Sequence, residues 1–357
     1  MITNLPLFIY EYIQQYTNID NLLNISNKLN DIKYKLKYWT LTEFQSDLYY
    51  KYKHIADNLN LYIYDSSKQL SLNLNNHYNI NTTLIYNVHK LNLSRCNHIN
   101  DFSLLKNIHT LDLSGYKNYI DISSLKHIHT LNLSCCYQLV DISPLTHIYN
   151  LNLCGCFKIV NFHPLSNIHT LNLNYTSISD VSPLKNVHTL FLCGCLHILD
   201  VSSLKNVHTL YLNSTFISDV SALGNVHTLI LSFCYNITNI TGLGNNHILK
   251  LNNCNIHDVS MLGNVYNLDL SFCTHISDVS NLGSVHSLNL NNCFNITNIN
   301  SLGNIYSLSL QYCYGIKHLP VPNNISILDV SGINFTTPIS SPSIICPFFN
   351  IFSLFSF

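Results

Sequence analysis

The 357-residue chain has almost no arginine or alanine: Arg95 is its single arginine, and Ala56 and Ala222 are its two alanines. Only 10% of residues are charged, and the formal net charge is −1. A chain that neutralises phosphates needs a basic stripe. None is visible, so no nucleic-acid partner is expected. No run of 18 apolar residues exists, so no membrane-spanning helix is expected. The first residues, "MITNLPLFIYEYIQQY", lack a basic stretch and a small-residue cleavage site, so they do not read as a secretory signal. Thirteen cysteines, an odd number, with no export signal point to reduced thiols in the cytoplasm. No Ser-His-Asp order, phosphate loop, carboxylate pair or zinc spacing stands out. Neither enzyme chemistry nor a cofactor or metal is expected. Asn, Ile, Tyr and Lys are abundant in the manner of an AT-rich genome, so asparagine alone carries little functional information.

What the chain has is one phrase written repeatedly. "VHTL" stands at Val187, Val207 and Val226, and "IHTL" at Ile108, Ile128 and Ile168. Aligned on this pair, the sequence repeats every 19 or 20 residues from His89 to Ser326. A period this regular means a solenoid. The 19-residue steps begin at Ile168, Val207 and Asn246, and each lacks one residue just after the ninth position, which marks a loop. Apolar residues recur at fixed offsets, as in Ile128, Leu131, Leu133, Cys136, Leu139, Ile142 and Leu145. The L-x-L step at period two makes a short strand with one face buried. No unit buries its leucines alone, so neighbours must stack. The pattern L-x-x-L-x-L-x-x-C/N resembles the leucine-rich repeat. The expected fold is α/β: a solenoid of about fourteen short rungs with a parallel sheet on the concave face and 3₁₀ or extended segments opposite. Asp101, Asp121, Asp141, Asp180, Asp200, Asp219, Asp258 and Asp278 suit capping of those segments.

Two sets of residues invite a chemical reading. Cys96, Cys136, Cys156, Cys195, Cys234, Cys254, Cys273, Cys293 and Cys313 hold the ninth position, where a buried side chain satisfies turn backbone groups. Cys154/Cys156 and Cys193/Cys195 have C-x-C spacing, but one member of each pair belongs to that ladder and the other points outward. No convergent tetrahedral set results. The second position holds His89, His109, His129, His169, His188, His208, His227, His247 and His286, exchanged elsewhere for Tyr149, Tyr266, Tyr306 and Ser326. A ligand or base does not tolerate such exchange. The histidines are expected to stack at the strand entry as a structural or duplicated feature, and a pH-sensing ladder is the alternative.

The fifth position points out of the concave face and is mostly Asn, Asp, Ser or Lys. Phe191, Tyr211 and Ile230 break it on three consecutive rungs, with Tyr175 and Phe233 nearby in the eighth position. Adjacent apolar residues on a wet sheet mark a partner site. Drift among duplicates is the bland alternative.

Residues 1–68 lack the repeat. Leu5-Pro6 suits a helix start, and Leu22, Ile25, Leu29, Ile32 and Leu36 follow Asp20 at helical spacing through "KYW". Leu5-Pro6, Ile9, Ile13, "IDNLLNIS" and Trp39 together resemble an F-box. Followed by a leucine-rich-repeat array, and in this Asn- and Ile-rich style, the chain resembles the F-box/LRR paralogues of giant DNA viruses of amoebae. That resemblance implies a substrate receptor of a Skp1–cullin–F-box ubiquitin ligase. A Skp1-like adaptor would dock on Leu5, Pro6, Ile9, Ile13, Leu22 and Leu23, and the concave face would hold a target protein. The head acting as a cap for the first rung is the alternative. The divisions expected are a helical module at 1–45, a linker or capping helix at 46–68, the solenoid at 69–335 and a tail at 336–357. The tail, ending "SIICPFFNIFSLFSF", is expected to be a disordered or solenoid-capping segment rather than a membrane anchor. The chain is expected to be a cytoplasmic monomer outside its complex.

Overall fold

The computed structural model describes residues 38–40, 69–76, 88–99, 101–105, 107–318 and 325–333. The chain forms two units, divided after Ile168. Among the described residues of the first, six short strands follow one another in chain order: β1 (Tyr38–Thr40), β2 (Gln69–Asn73), β3 (Lys90–Asn92), β4 (Thr110–Asp112), β5 (Thr130–Asn132) and β6 (Asn150–Asn152). Each pairs in parallel with the next. The second unit holds β7 (Thr170–Asn172), β8 (Thr189–Phe191), β9 (Thr209–Tyr211), β10 (Thr228–Ile230), β11 (Ile248–Lys250), β12 (Asn267–Asp269), β13 (Ser287–Asn289), β14 (Ser307–Ser309) and β15 (Ile327–Asp329), paired in the same manner.

The register follows from the repeat. Leucine sits opposite leucine on successive strands, Leu91, Leu111, Leu131 and Leu151 in one unit and Leu171 through Leu328 in the other. The middle residue of a strand turns inward while its neighbours face out. The burial is close to complete: Leu133, Leu153, Leu190, Leu210 and Leu229 are fully covered. Each covered leucine contributes roughly 1.5–3 kcal/mol relative to an exposed one. That return exists only when a neighbouring rung supplies the cover.

Opposite the strands run 3₁₀ segments. Among the described residues, four in the first unit and two in the second span three residues, as at Ser123–Leu125 and Ser202–Leu204. From Ser221 onward four span five: Ser221–Asn225, Ser260–Asn264, Ser280–Ser284 and Asn300–Asn304. The sequence changes at the same place, from "LKNV" to "LGNV". A Cβ at Gly263 would press into the carbonyl oxygen of Asn281 on the next rung, so the longer segment packs too closely for a side chain there. The capping aspartates behave as expected chemically but stand one residue earlier than an N-cap. Asp121 Oδ1 accepts the Ser123 N–H at 3.0 Å and Asp200 Oδ1 the Ser202 N–H at 2.8 Å, while Ile122 and Val201 hold the cap positions. These are Asx turns.

One reading of the head is corrected. Tyr38 and Trp39, taken from the sequence as the end of a helix, form β1, with Trp39 opposite Leu70. Aromatic residues suit a strand, and β2 would otherwise present an unpaired edge. The adaptor residues Leu5, Pro6, Ile9, Ile13, Leu22 and Leu23, the linker at 46–68 and the tail at 336–357 lie outside the described residues.

Candidate functional site

The strand face is shaped by what happens as each strand ends. Where the fifth residue of a rung is Asn or Asp, its side-chain oxygen accepts the backbone N–H two residues on. Asn92, Asp112, Asn132 and Asn152 do so at 2.8–3.0 Å in the first unit. Asn172, Asp269, Asn289 and Asp329 do so at 3.0–3.1 Å in the second. The eighth residue then takes positive φ on every described rung, between 57° and 76°, whether it is Gly115, Asn253, Arg95, Cys135, Tyr175 or Phe233. This left-handed step turns its N–H onto the next rung, as when Tyr175 N–H donates to Cys193 O at 2.9 Å and Phe233 N–H to Asn252 O at 3.0 Å. A non-glycine residue there costs on the order of 1–2 kcal/mol, which the inter-rung bond and the turn must offset.

The ninth-position cysteines are buried, as expected, and are free thiols. Each Sγ donates to the sixth-position carbonyl of the preceding rung: Cys136 to Leu113 O at 3.3 Å, Cys156 to Leu133 O at 3.1 Å, Cys273 to Leu251 O at 3.1 Å. Burial pushes the thiols of Cys136, Cys156 and Cys273 up to about 12. Thr176 and Thr215 take this place on two short rungs and Tyr116 on another, each bonding a backbone carbonyl through its hydroxyl. Cys154 and Cys193, expected to point outward, are half-buried. Burial pushes the Cys193 thiol up to about 11.

At the strand entry the histidines stack. Ring centroids from His89 to Tyr149, and again from His169 to Tyr306, are 4.4–4.8 Å apart. Six of the imidazoles hold Nδ1 within 3.1–3.3 Å of the hydroxyl of the threonine that follows, as His188 does with Thr189. Burial and then the neighbouring imidazoles hold His188 and His227 below the usual histidine range. Among the described residues no group of three or more His, Cys, Asp or Glu is placed to hold a metal. Among them, too, no helix is long and apolar enough to cross a membrane.

Phe191, Tyr211 and Ile230 end β8, β9 and β10 where Asn or Asp ends most other strands. None of the three can close the turn. Two of the backbone groups left over find partners one rung back: Cys193 N–H donates to Asn174 Oδ1 at 2.7 Å and Ser232 N–H to Asn213 Oδ1 at 3.2 Å. Phe191 and Tyr211 stack with ring centroids 4.4 Å apart. Burial raises the Tyr211 phenol, with Cys193 adding to it. Tyr175, 65% exposed, extends its ring over Gly194 on the next rung, where a Cβ would come within 2.5 Å of it. Phe233 is 42% exposed. Ile230 departs from the expectation of an outward, open side chain: it is only 6% exposed. Its register partners on the two paired strands are Tyr211 and Lys250, both with longer side chains.

The sequence reading missed the tenth position. On the same three rungs it holds Leu196, Phe216 and Tyr235, exposed by 47%, 55% and 62%. Each follows a ninth-position residue, so the alignment already at hand contained the signal. The apolar surface therefore continues past the end of the strands.

No protein-family model matches the chain, and no curated protein matches it. Solved structures do. The chain is similar to TLR13 in a TLR13–ssRNA13 complex, with 16% identity and a TM-score of 0.54, over 77% of this chain and 56% of that one. Each unit is a leucine-rich-repeat solenoid. Likenesses also extend to an internalin (inlF) from Listeria monocytogenes, 24% identical with a TM-score of 0.48 over 64% of this chain and 75% of that one. An LRR protein from Leptospira interrogans is 19% identical, with a TM-score of 0.42 over 69% of this chain and 91% of that one.

Proposed function

We propose that the chain is a protein-binding repeat module, with no bond-making chemistry, that docks its target on Tyr175, Phe191, Tyr211, Ile230 and Phe233. The observation that carries this is the loss of the turn-closing Asn or Asp on four adjacent rungs, at Phe191, Tyr211, Ile230 and Lys250, the first three of them apolar. Each such bond is worth about 0.5–1.5 kcal/mol. Chance substitution would scatter these losses along the array. Here they coincide with stacked aromatic rings, which dominate binding energy at interfaces. A nucleic-acid target, as in the TLR13 complex, needs basic side chains. From Ile168 to Ile237 the strand-and-turn segments carry no Lys or Arg.

At a finer level, the chain serves as the substrate receptor of a Skp1–cullin–F-box ubiquitin ligase. The support is the resemblance of Leu5-Pro6, Ile9, Ile13 and "IDNLLNIS" to an F-box ahead of a leucine-rich array. The receptor would contribute proximity between target and ligase. A second reading, the head as a cap with no ligase role, draws support from β1, which covers the edge of β2.

The test has two arms. Phe191→Asn with Tyr211→Asn should abolish capture of a target from cell extract without loss of fold; unchanged capture refutes this docking site. Leu5→Ser with Pro6→Ser should abolish binding of purified Skp1 to the full chain. If the unaltered chain shows no Skp1 binding at micromolar concentration, the ligase role falls and the capping role stands.

A further inference from the structure

Two cysteines of the first unit belong neither to the buried ladder nor to the proposed docking surface. Among the described residues, the half-buried thiols are Cys135, Cys154 and Cys193, and the others are buried. Cys193 lies in the second unit, and burial pushes its thiol up to about 11. Cys135 and Cys154 follow β5 and β6, so they stand on neighbouring rungs. Among the described residues, no other two neighbouring rungs each carry a half-buried thiol. Cys135 takes the left-handed conformation at φ 58°, and its N–H donates to Cys154 O at 2.8 Å. That contact, with the covalent bonds on either side of it, holds the two Cα atoms within about 6.7 Å. A disulfide spans roughly 4.4–6.8 Å between Cα atoms. The Cys135 Sγ leans the same way: it stands 3.6 Å from where a Cβ on Gly155 would be. Gly155 bears no side chain, so the sulfur has room beside Cys154.

The ladder thiols on the same two rungs are the contrast. Cys136 Sγ and Cys156 Sγ each donate to a carbonyl, and burial pushes both thiols up to about 12. They hold almost no thiolate, the form that reacts. We propose that Cys135 and Cys154 form a peroxide-driven, thiol-reversible disulfide that ties the turn after β5 to the turn after β6. One thiolate attacks an oxygen of hydrogen peroxide, the O–O bond breaks, and a sulfenic acid and hydroxide result. The partner thiolate then displaces hydroxide from that sulfur, and the S–S bond forms. The two thiol protons convert the two hydroxides to water. The sulfurs give up two electrons in all, and peroxide takes them. In a reducing compartment such a bridge is transient, as disulfides that sense oxidant are.

In the experiment the full chain is reduced, freed of reductant and treated with hydrogen peroxide in dilute solution. It is then denatured in N-ethylmaleimide, digested with chymotrypsin and mapped by mass spectrometry. The expected result is a fragment pair joining Cys135 to Cys154, two hydrogens lighter than the free pair. It should come from monomer-sized protein and vanish after dithiothreitol, while Cys193 stays alkylated. Cys135→Ser and, separately, Cys154→Ser should each abolish the bridge. In one of those two variants the remaining sulfur should be trapped by dimedone as its sulfenic acid. The mapping of the unaltered chain decides the matter even where a variant folds poorly. No bridge, a bridge through Cys136 or Cys156, a linkage found only in dimer-sized protein, or one that dithiothreitol does not open each overturn the proposal.

Discussion

Replacing Asn246 by valine should stabilise the protein. The first position of a rung is Val or Ile on its neighbours, Val226 and Val265, and is fully covered. Asn246 occupies the same place at 1% exposure. Its Nδ2 donates to Leu223 O at 2.9 Å and to Val226 O at 2.6 Å, but its Oδ1 is buried without a protein partner. Removing an unsatisfied buried acceptor recovers about 1–3 kcal/mol, and losing two neutral hydrogen bonds costs about 0.5–1.5 kcal/mol each. Those terms nearly cancel. Leu223 O keeps the Val226 N–H at 3.1 Å in any case. The remaining difference is apolar burial of the valine, worth roughly 1.5 kcal/mol. The net expectation is a gain of about 1 kcal/mol, or about 2–4 °C in melting temperature for a unit of this size. Thermal unfolding of Asn246→Val against the parent measures it. A fall of 2 °C or more would refute the reasoning, because it would mean that the amide bonds to Leu223 and Val226 tie the rungs together more strongly than apolar packing does.

Thiol labelling under native conditions should reach Cys154 before Cys156, and Cys193 should react slowly for a half-buried residue, since burial pushes it up to about 11; equal rates at Cys154 and Cys156 would contradict the ladder. Stability should decline as pH falls from 7.5 to 5.5. Folded His188 and His227 sit below their ordinary value of about 6.5, so the unfolded chain binds more protons in that window and acid favours it. His188→Tyr with His227→Tyr, the exchange already present at Tyr266 and Tyr306, should flatten that slope, measured as melting temperature against pH.

The period, the inward leucines and the buried cysteines were legible because each was written on many rungs, so a single alignment revealed them. The same redundancy hid other features. Asparagine at the fifth position looked like compositional bias on a wet face, yet Asn92, Asn132 and Asn289 each close a turn. The left-handed eighth residue was invisible because Arg95, Cys135, Tyr175 and Phe233 share it with glycine, so tertiary bonds override the local preference. The openness of Ile230 was misjudged because period two gives direction but not the length of the flanking side chains. Tyr38 and Trp39 read as helix because a helical stripe runs up to them; the unpaired edge of β2, a tertiary feature, decides otherwise.

The central claim is that the apolar strand ends serve binding at the expense of the turn. Equilibrium unfolding of Phe191→Asn with Tyr211→Asn tests it most directly. Losing the ring stack costs about 0.5–1.5 kcal/mol. Tyr211→Asn regains a turn bond worth a similar amount, while the Cys193 N–H beyond Phe191 already donates to Asn174 Oδ1. The account predicts a melting temperature within about 2 °C of the parent. A fall greater than about 5 °C would show that the rings hold the solenoid together, and the docking surface would then be packing.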